Sequence, residues 1–169
     1  MEDSRIRRYA QFLINKAVYL QKGEKVLIEL HGDPDAVPLV RALIEEAYVA
    51  GGQPYVHQFD EQLMGAVIAG ANDAHMAAVT SYQLERMKNM DAYIDVRASL
   101  NIHEWDNYPI SQIDVYKRNY WGPLHLSERC NHTKWSVLRY PNSAMAQLAG
   151  MSTAEFEDYY FKACLVDYD

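Results

Sequence analysis

The sequence predicts a three-layer α/β domain, a mostly parallel sheet of about four or five strands with helices on both faces. Three observations carry this reading. Short apolar segments rich in β-branched residues alternate with stretches whose apolar residues recur at helical spacing. The connections between them are short and carry Gly, Pro, Asn or Asp. The chain has 169 residues, of which 49% are hydrophobic and 23% charged, which suits one packed domain over 1–169 with no internal linker.

The first helix places Ile6, Tyr9, Leu13, Ala17 and Leu20 on one face, and Gly23 stands where it should end. Lys25-Val26-Leu27-Ile28-Glu29-Leu30 then reads as a strand buried on both faces, with a loop at His31-Gly32-Asp33-Pro34-Asp35. Val37, Val40, Leu43, Ile44 and Ala47 return to helical spacing until the Gly51-Gly52 pair breaks it before a strand at Pro54-Tyr55-Val56-His57. Helices are predicted over 61–71 and 74–89, separated by Asn72-Asp73, and a third strand at Ala92-Tyr93-Ile94-Asp95-Val96-Arg97.

Between 99 and 132 no pattern persists, because Trp105, Pro109 and Trp121-Gly122-Pro123 interrupt it, although Ile110, Ile113 and Tyr116 suggest a helix. A fourth strand follows at Lys134-Trp135-Ser136-Val137-Leu138-Arg139-Tyr140, stopped by Pro141. Asn142 can cap a short helix that Gly150 closes. Ser152, with Glu155 three residues later, forms a capping box, and Phe156, Tyr159, Tyr160 and Ala163 should share one face of the last helix. Strands alternating with helices in this way give a Rossmann-like architecture.

Charge and composition remove several functions. The net charge is −7 and the acidic residues are spread along the chain, which leaves no basic face for a nucleic acid or an anionic membrane. No apolar run approaches a membrane span and no signal-peptide core follows the arginines at 5, 7 and 8, so the expected location is the cytoplasm. Cys130 and Cys164 are expected to be reduced thiols.

In an open parallel sheet ligands bind beyond the carboxyl ends of the strands, which directs attention to the loops after Leu30, His57, Arg97 and Tyr140. Gly32 alone does not make a dinucleotide fingerprint, and no phosphate-cradling P-loop occurs. Arg97 and Arg139 are the polar residues best placed by position, with a surface or ion-pair role as the simpler expectation. Asp33, Asp35 and Asp95 superficially fit a Mg²⁺-dependent phosphoacceptor, but the first two flank Pro34 where a helix N-terminus favours acid, and Asp95 stands inside its strand. Among six histidines none forms HExxH, and the loose group His125, Cys130 and His132 is expected on a surface loop. Glu45-Glu46 and Glu157-Asp158 are expected to be solvated charge. The residues themselves nominate no catalytic, metal-binding or cofactor-binding position.

Two segments resemble a known family. Tyr9-Ala10-Gln11-Phe12-Leu13-Ile14 with Leu20-Gln21-Lys22-Gly23-Glu24-Lys25-Val26-Leu27-Ile28 is similar to the opening helix and first strand of metalloaminopeptidases of the aminopeptidase T and S type. Lys134-Trp135, Tyr140-Pro141-Asn142, Ala144-Met145-Ala146-Gln147, Ala149-Gly150-Met151-Ser152 and the helix after Glu155 follow that family's pattern more closely. Phe161-Lys162-Ala163-Cys164-Leu165-Val166-Asp167-Tyr168 looks like the helix that leads out of its N-terminal domain.

The resemblance implies a parent enzyme that removes N-terminal residues from peptides. It would work with two divalent ions, Zn or Co, held by Glu, His and Asp residues of a second domain, and it would be a homodimer. The segments carrying those ligands do not occur here, so the resemblance transfers no metal or catalytic residue, and the chain alone is expected to be an inactive fragment binding no ion. A self-contained small-ligand-binding or phosphoacceptor module is the alternative.

Overall fold

A computed structural model describes residues 3–166. Four strands, β1 (Lys25–Gly32), β2 (Gln53–Phe59), β3 (Ala92–Ala98) and β4 (Lys134–Arg139), form one sheet of order β2-β1-β3-β4. Every pairing is parallel. The chain leaves β1 toward β2 on one side and reaches β3 on the other, so the strand order reverses between β1 and β3. This is the switch point at which open α/β sheets form a crevice.

Side-chain alternation divides the core in two. Val26, Ile28 and Leu30 of β1 and Ile94, Val96 and Ala98 of β3 pack into one cluster with α1 (Ser4–Phe12), α2 (Val37–Val49) and α8 (Thr153–Cys164). Leu27 and Tyr93 face the other way, toward α3 (Glu61–Gly70), α4 (Asp73–Met87) and the helix that begins as α5 (Ile110–Tyr116). Two covered faces make the three layers that the sequence predicts.

Several expectations need correction. Beyond Phe12 the first helix widens into a π-helical turn over Leu13–Ala17, closed by the Val18 N–H donating to Leu13 O at 3.0 Å. An i→i+5 turn inserts one residue into the periodicity. Val18 is therefore buried and Ala17 exposed, and the helix stops at Val18 and Tyr19 rather than at Gly23. β1 also runs two residues further than predicted and takes in His31 and Gly32.

The interrupted segment is helical from Ile110 through α5, a π-helical stretch over Lys117–Arg129 and α6 (Cys130–His132). Its Pro123 has no N–H to donate and obscures the pattern in sequence. His125, Cys130 and His132 thus stand on helical turns, not on a surface loop.

Helix termini follow their sequence signals. Asn72 accepts from His75 N–H at 2.9 Å, and Asn142 caps α7 (Ser143–Leu148) by accepting from Met145 N–H at 3.0 Å. Ser152 and Glu155 form the reciprocal capping box. On α8, however, Phe156 and Phe161 are buried while Tyr159 and Ala163 face solvent. The inward face is covered by α1: Tyr9 is hydrogen-bonded to the Tyr160 hydroxyl at 3.1 Å, and the Arg5 guanidinium lies 4.9 Å over the Phe161 ring. Cys164 is half-buried against this cluster. Asp167 and Tyr168, part of the expected exit helix, lie outside the described residues.

Candidate functional site

Register aligns a polar grid on the face of the sheet toward α3, α4 and α5. Glu29 pairs with His57 on one side and Asp95 on the other, and one pleat onward His31 pairs with Phe59 and Arg97. Arg97 in turn pairs with Arg139. Because side chains alternate, these residues all stand on one face at the carboxyl end, directly above the apolar Leu27 and Tyr93. The switch point runs between Glu29 and Asp95.

This grid is the floor of a cavity of about 400 Å³. Phe59, Trp105, Tyr116, Tyr120 and Leu124 wall it, and Arg139, Lys117 and His125 lie toward its mouth. The chain crossing after β3 is pinned over it: the Trp105 indole N–H donates to Glu61 O at 2.8 Å, and the Ser99 hydroxyl donates to Glu61 Oε1 at 2.5 Å. Asn142 Nδ2 donates to Ala98 O at 3.0 Å and ties the start of α7 to the end of β3. Volume, apolar walls and a few convergent polar groups are those of a small-molecule site.

Glu29, 1% exposed, is saturated. Its Oε1 lies 2.7 Å from His57 Nδ1, and its Oε2 accepts the Tyr93 hydroxyl at 2.6 Å and lies 3.1 Å from His31 Nε2. Arg129 Nη2 spans both oxygens at 2.8 and 3.1 Å while its guanidinium covers the Tyr93 ring at 4.1 Å. Burial alone would raise the Glu29 pKa, but the hydrogen bonds from His31 and His57 and the charge of Arg129 hold it well below the ordinary carboxylate value. Burial pushes the Tyr93 hydroxyl up, reinforced by the Glu29 and Asp95 charges, so it remains a donor. Burial likewise moves Tyr120 up to about 12. His125 is lowered by burial and by the Arg129 charge, and is neutral near pH 7.

Asp95 differs from Glu29. Also 1% exposed, it accepts from Arg97 Nε at 2.8 Å through Oδ2. Its Oδ1 has no hydrogen-bond partner, because His31 Nε2, 3.3 Å away, is hydrogen-bonded to Glu29. Arg129 Nε is a buried donor in the same condition. Both atoms are enclosed by protein, on residues that line the cavity. Unmet buried groups of this kind are rare and call for a partner.

Of the residues that position singled out in the sequence, Arg97 and Arg139 do line the cavity, Arg97 as the ion-pair partner of Asp95. Asp33 caps the turn at Pro34–Ala36 by accepting from Asp35 N–H at 3.0 Å. Among the described residues, those whose ligand atoms gather within 4.8 Å of one another are Glu29, His31 and Asp95, not Asp33 and Asp35 and not the His125, Cys130 and His132 group.

Sequence reasoning overlooked Glu29, His31, His57 and Arg129. A signal for the first was present: a carboxylate inside a strand apolar on both sides cannot stay unpaired. Its partners come from its own strand, from β2 and β3, and from a segment whose helical pattern is obscured.

Comparison with known proteins places the chain. Its fold is similar to that of wild-type AmpT from Thermus thermophilus, with a TM-score of 0.69 and 18% identity over 95% of this chain. The match spans 42% of AmpT, so the chain covers less than half the length of that protein. An alcohol dehydrogenase superfamily protein from Novosphingobium aromaticivorans (16% identity, 94% of this chain and 47% of that one) and a CurK enoyl reductase (12%, 93% and 48%) align with TM-scores of 0.38, too low to carry an argument. No curated protein matches. The model of the thermophilic metalloprotease (M29) family matches residues 2–169, and the chain belongs to that family.

Proposed function

We propose that this chain is the N-terminal, non-catalytic domain of a metal-dependent aminopeptidase that removes N-terminal residues from peptides. The family match along residues 2–169 carries the reading. In the whole enzyme two divalent ions, Zn or Co, would activate water for attack on the scissile carbonyl. This domain would contribute a wall of the substrate cleft through the cavity at its strand ends.

The donor set here does not fit such a centre. Two ions about 3.5–4 Å apart need several free carboxylate and imidazole donors. Glu29 is already held by four side chains, and Arg97 and Arg129 place fixed positive charge against both carboxylates. One free oxygen, Asp95 Oδ1, remains. The metal ligands therefore belong, on this reading, to a second domain. Two half-buried free cysteines suit a cytoplasmic protein, and no helix among the described residues is long and apolar enough to cross a membrane. A homodimer is part of the reading and rests on the family resemblance.

The purified chain, incubated with Co²⁺ or Zn²⁺ and leucine 4-nitroanilide, is expected to release no nitroaniline above the metal-only blank. Turnover at an enzyme-like rate would overturn the assignment of catalysis to another domain.

A further inference from the structure

Arg97 and Arg139 stand side by side on β3 and β4, in register and both lining the cavity. Neighbouring strands lie about 4.8 Å apart, so two guanidinium groups share the mouth, and like charges placed opposite each other are destabilising. Asp95 engages Arg97 through Nε, and the Arg97 side chain is still 37% exposed. Arg139 and Lys117 are exposed at the same mouth, and among the described residues neither has a hydrogen-bonded or ion-paired side-chain partner. Glu61 and Glu104 also line the cavity, but they hold the Ser99 hydroxyl and the Asn101 amide of the crossing and are not paired with these cations.

We infer that this mouth is a binding site for a phosphate monoester with a small aromatic body, its phosphoryl group between Arg97 and Arg139 and its ring against the cavity wall. Each guanidinium presents a fork that matches two anionic oxygens. A carboxylate has oxygens for one fork, whereas a phosphoryl group offers three oxygens and a charge of about −1.5 to −2, and so can bridge two. The floor pairs Glu29–Arg129 and Asp95–Arg97 are balanced, which leaves the charges of Arg139 and Lys117 to receive the anion.

The local field has the same sign. Burial lowers the pKa of His125, and the Arg129 and Arg97 charges lower it further, outweighing the opposite effect of Asp95 and Glu29. Behind the mouth, Trp105, Tyr116 and Tyr120 offer a ring an aromatic wall. The cavity, at about 400 Å³, suits a single-ring ligand.

The test is titration calorimetry and amide shift mapping of the purified chain in HEPES with EDTA and about 0.15 M NaCl, where exposed charges are screened beyond about 8 Å. The probes are phenyl phosphate, inorganic phosphate and benzoate. Phenyl phosphate is expected to bind saturably, with shifts at the carboxyl ends of β3 and β4 and at Trp105, Tyr116 and Tyr120. Inorganic phosphate, which lacks the ring, and benzoate, which carries a carboxylate instead, should each bind at least about tenfold more weakly.

Arg139→Gln and Lys117→Gln replace exposed side chains, and each should weaken phenyl phosphate, the arginine variant at least about tenfold. Lys22→Gln, an exposed cation beside Gly51 at the amino end of the sheet, should leave its affinity unchanged. Absence of saturable phenyl phosphate binding overturns the inference. So does benzoate binding as tightly, which would make the site a single carboxylate fork, and so does inorganic phosphate binding as tightly, which would leave the aromatic wall without a role. Equal losses in Arg139→Gln and Lys22→Gln would reduce the binding to general charge attraction and overturn it as well. No turnover is measured, so failure here leaves the peptidase reading intact, and turnover in the nitroanilide assay leaves this inference intact.

Discussion

Tyr93 donates its hydroxyl to Glu29 Oε2 at 2.6 Å across 64 residues of sequence, joining the apolar floor of the sheet to the buried carboxylate above it. The ring lies under the Arg129 guanidinium, so one tyrosine holds both members of the ion pair. Tyr93→Phe keeps the ring and removes the donor. It is expected to lower unfolding free energy by about 1–3 kcal/mol, the range for stripping a partner from a buried charged group. Urea unfolding checks this, and a loss below about 0.5 kcal/mol would show that water replaces the hydroxyl.

Glu29→Gln removes the charge that Arg129 faces and should cost about 3–5 kcal/mol at pH 7, since it leaves a buried guanidinium uncompensated. The pH dependence follows from sign. Glu29 is held below its ordinary value of 4.5 in the folded protein, so its ionised form contributes stability that is fully present above that pH. The contribution is lost as pH falls from 4.5 toward the folded value. The gap between the parent chain and Glu29→Gln should therefore be constant from pH 6 to 8 and shrink below pH 4.5, read by urea unfolding at each pH. A gap that widened on acidification would contradict the arrangement.

How far the sequence could be read depends on where the determining interactions lie. The Ser152–Glu155 box, the Asn72 cap and the apolar run of β1 are local, and each was legible because its cause lies within a few residues. The α1 register was not, since a π turn changes the period and nothing in Leu13-Ile14-Asn15-Lys16-Ala17 announces it. The floor of the cavity is joined by strand register and by Arg129, 100 residues from Glu29, and no spacing rule links them. Asp95 shows the limit most clearly. Its position inside a strand argued against function in sequence, yet the switch point between β1 and β3 turns that position toward the cavity.

The capping box gives a prediction independent of the site. Ser152→Ala removes the hydroxyl that accepts from Glu155 N–H and donates to Glu155 Oε2. A loss of about 1 kcal/mol is expected in urea unfolding, with hydrogen exchange in the 99–106 crossing unchanged, because α8 packs on the opposite face of the sheet from the cavity.

Gly32 ends β1 with φ +84°, and a Cβ there would stand 2.9 Å from the backbone N and Cα of Ser99. The close approach lets the exit of β1 run against the exit of β3, where Asp33 N–H donates to Ala98 O at 3.1 Å. Gly32→Ala meets two penalties, the left-handed backbone region and a clash with main chain that has no rotamer to escape into. We expect a loss of about 2–4 kcal/mol, from roughly 1–2 for the backbone conformation plus displacement of Ser99. Ser99 carries the hydroxyl bound to Glu61, so its displacement should also loosen the crossing over the cavity. Hydrogen exchange at 99–106 should accelerate in Gly32→Ala relative to the core of β1. Exchange unchanged in that crossing, with the variant folded, would show that the strand exit and the cavity roof move independently.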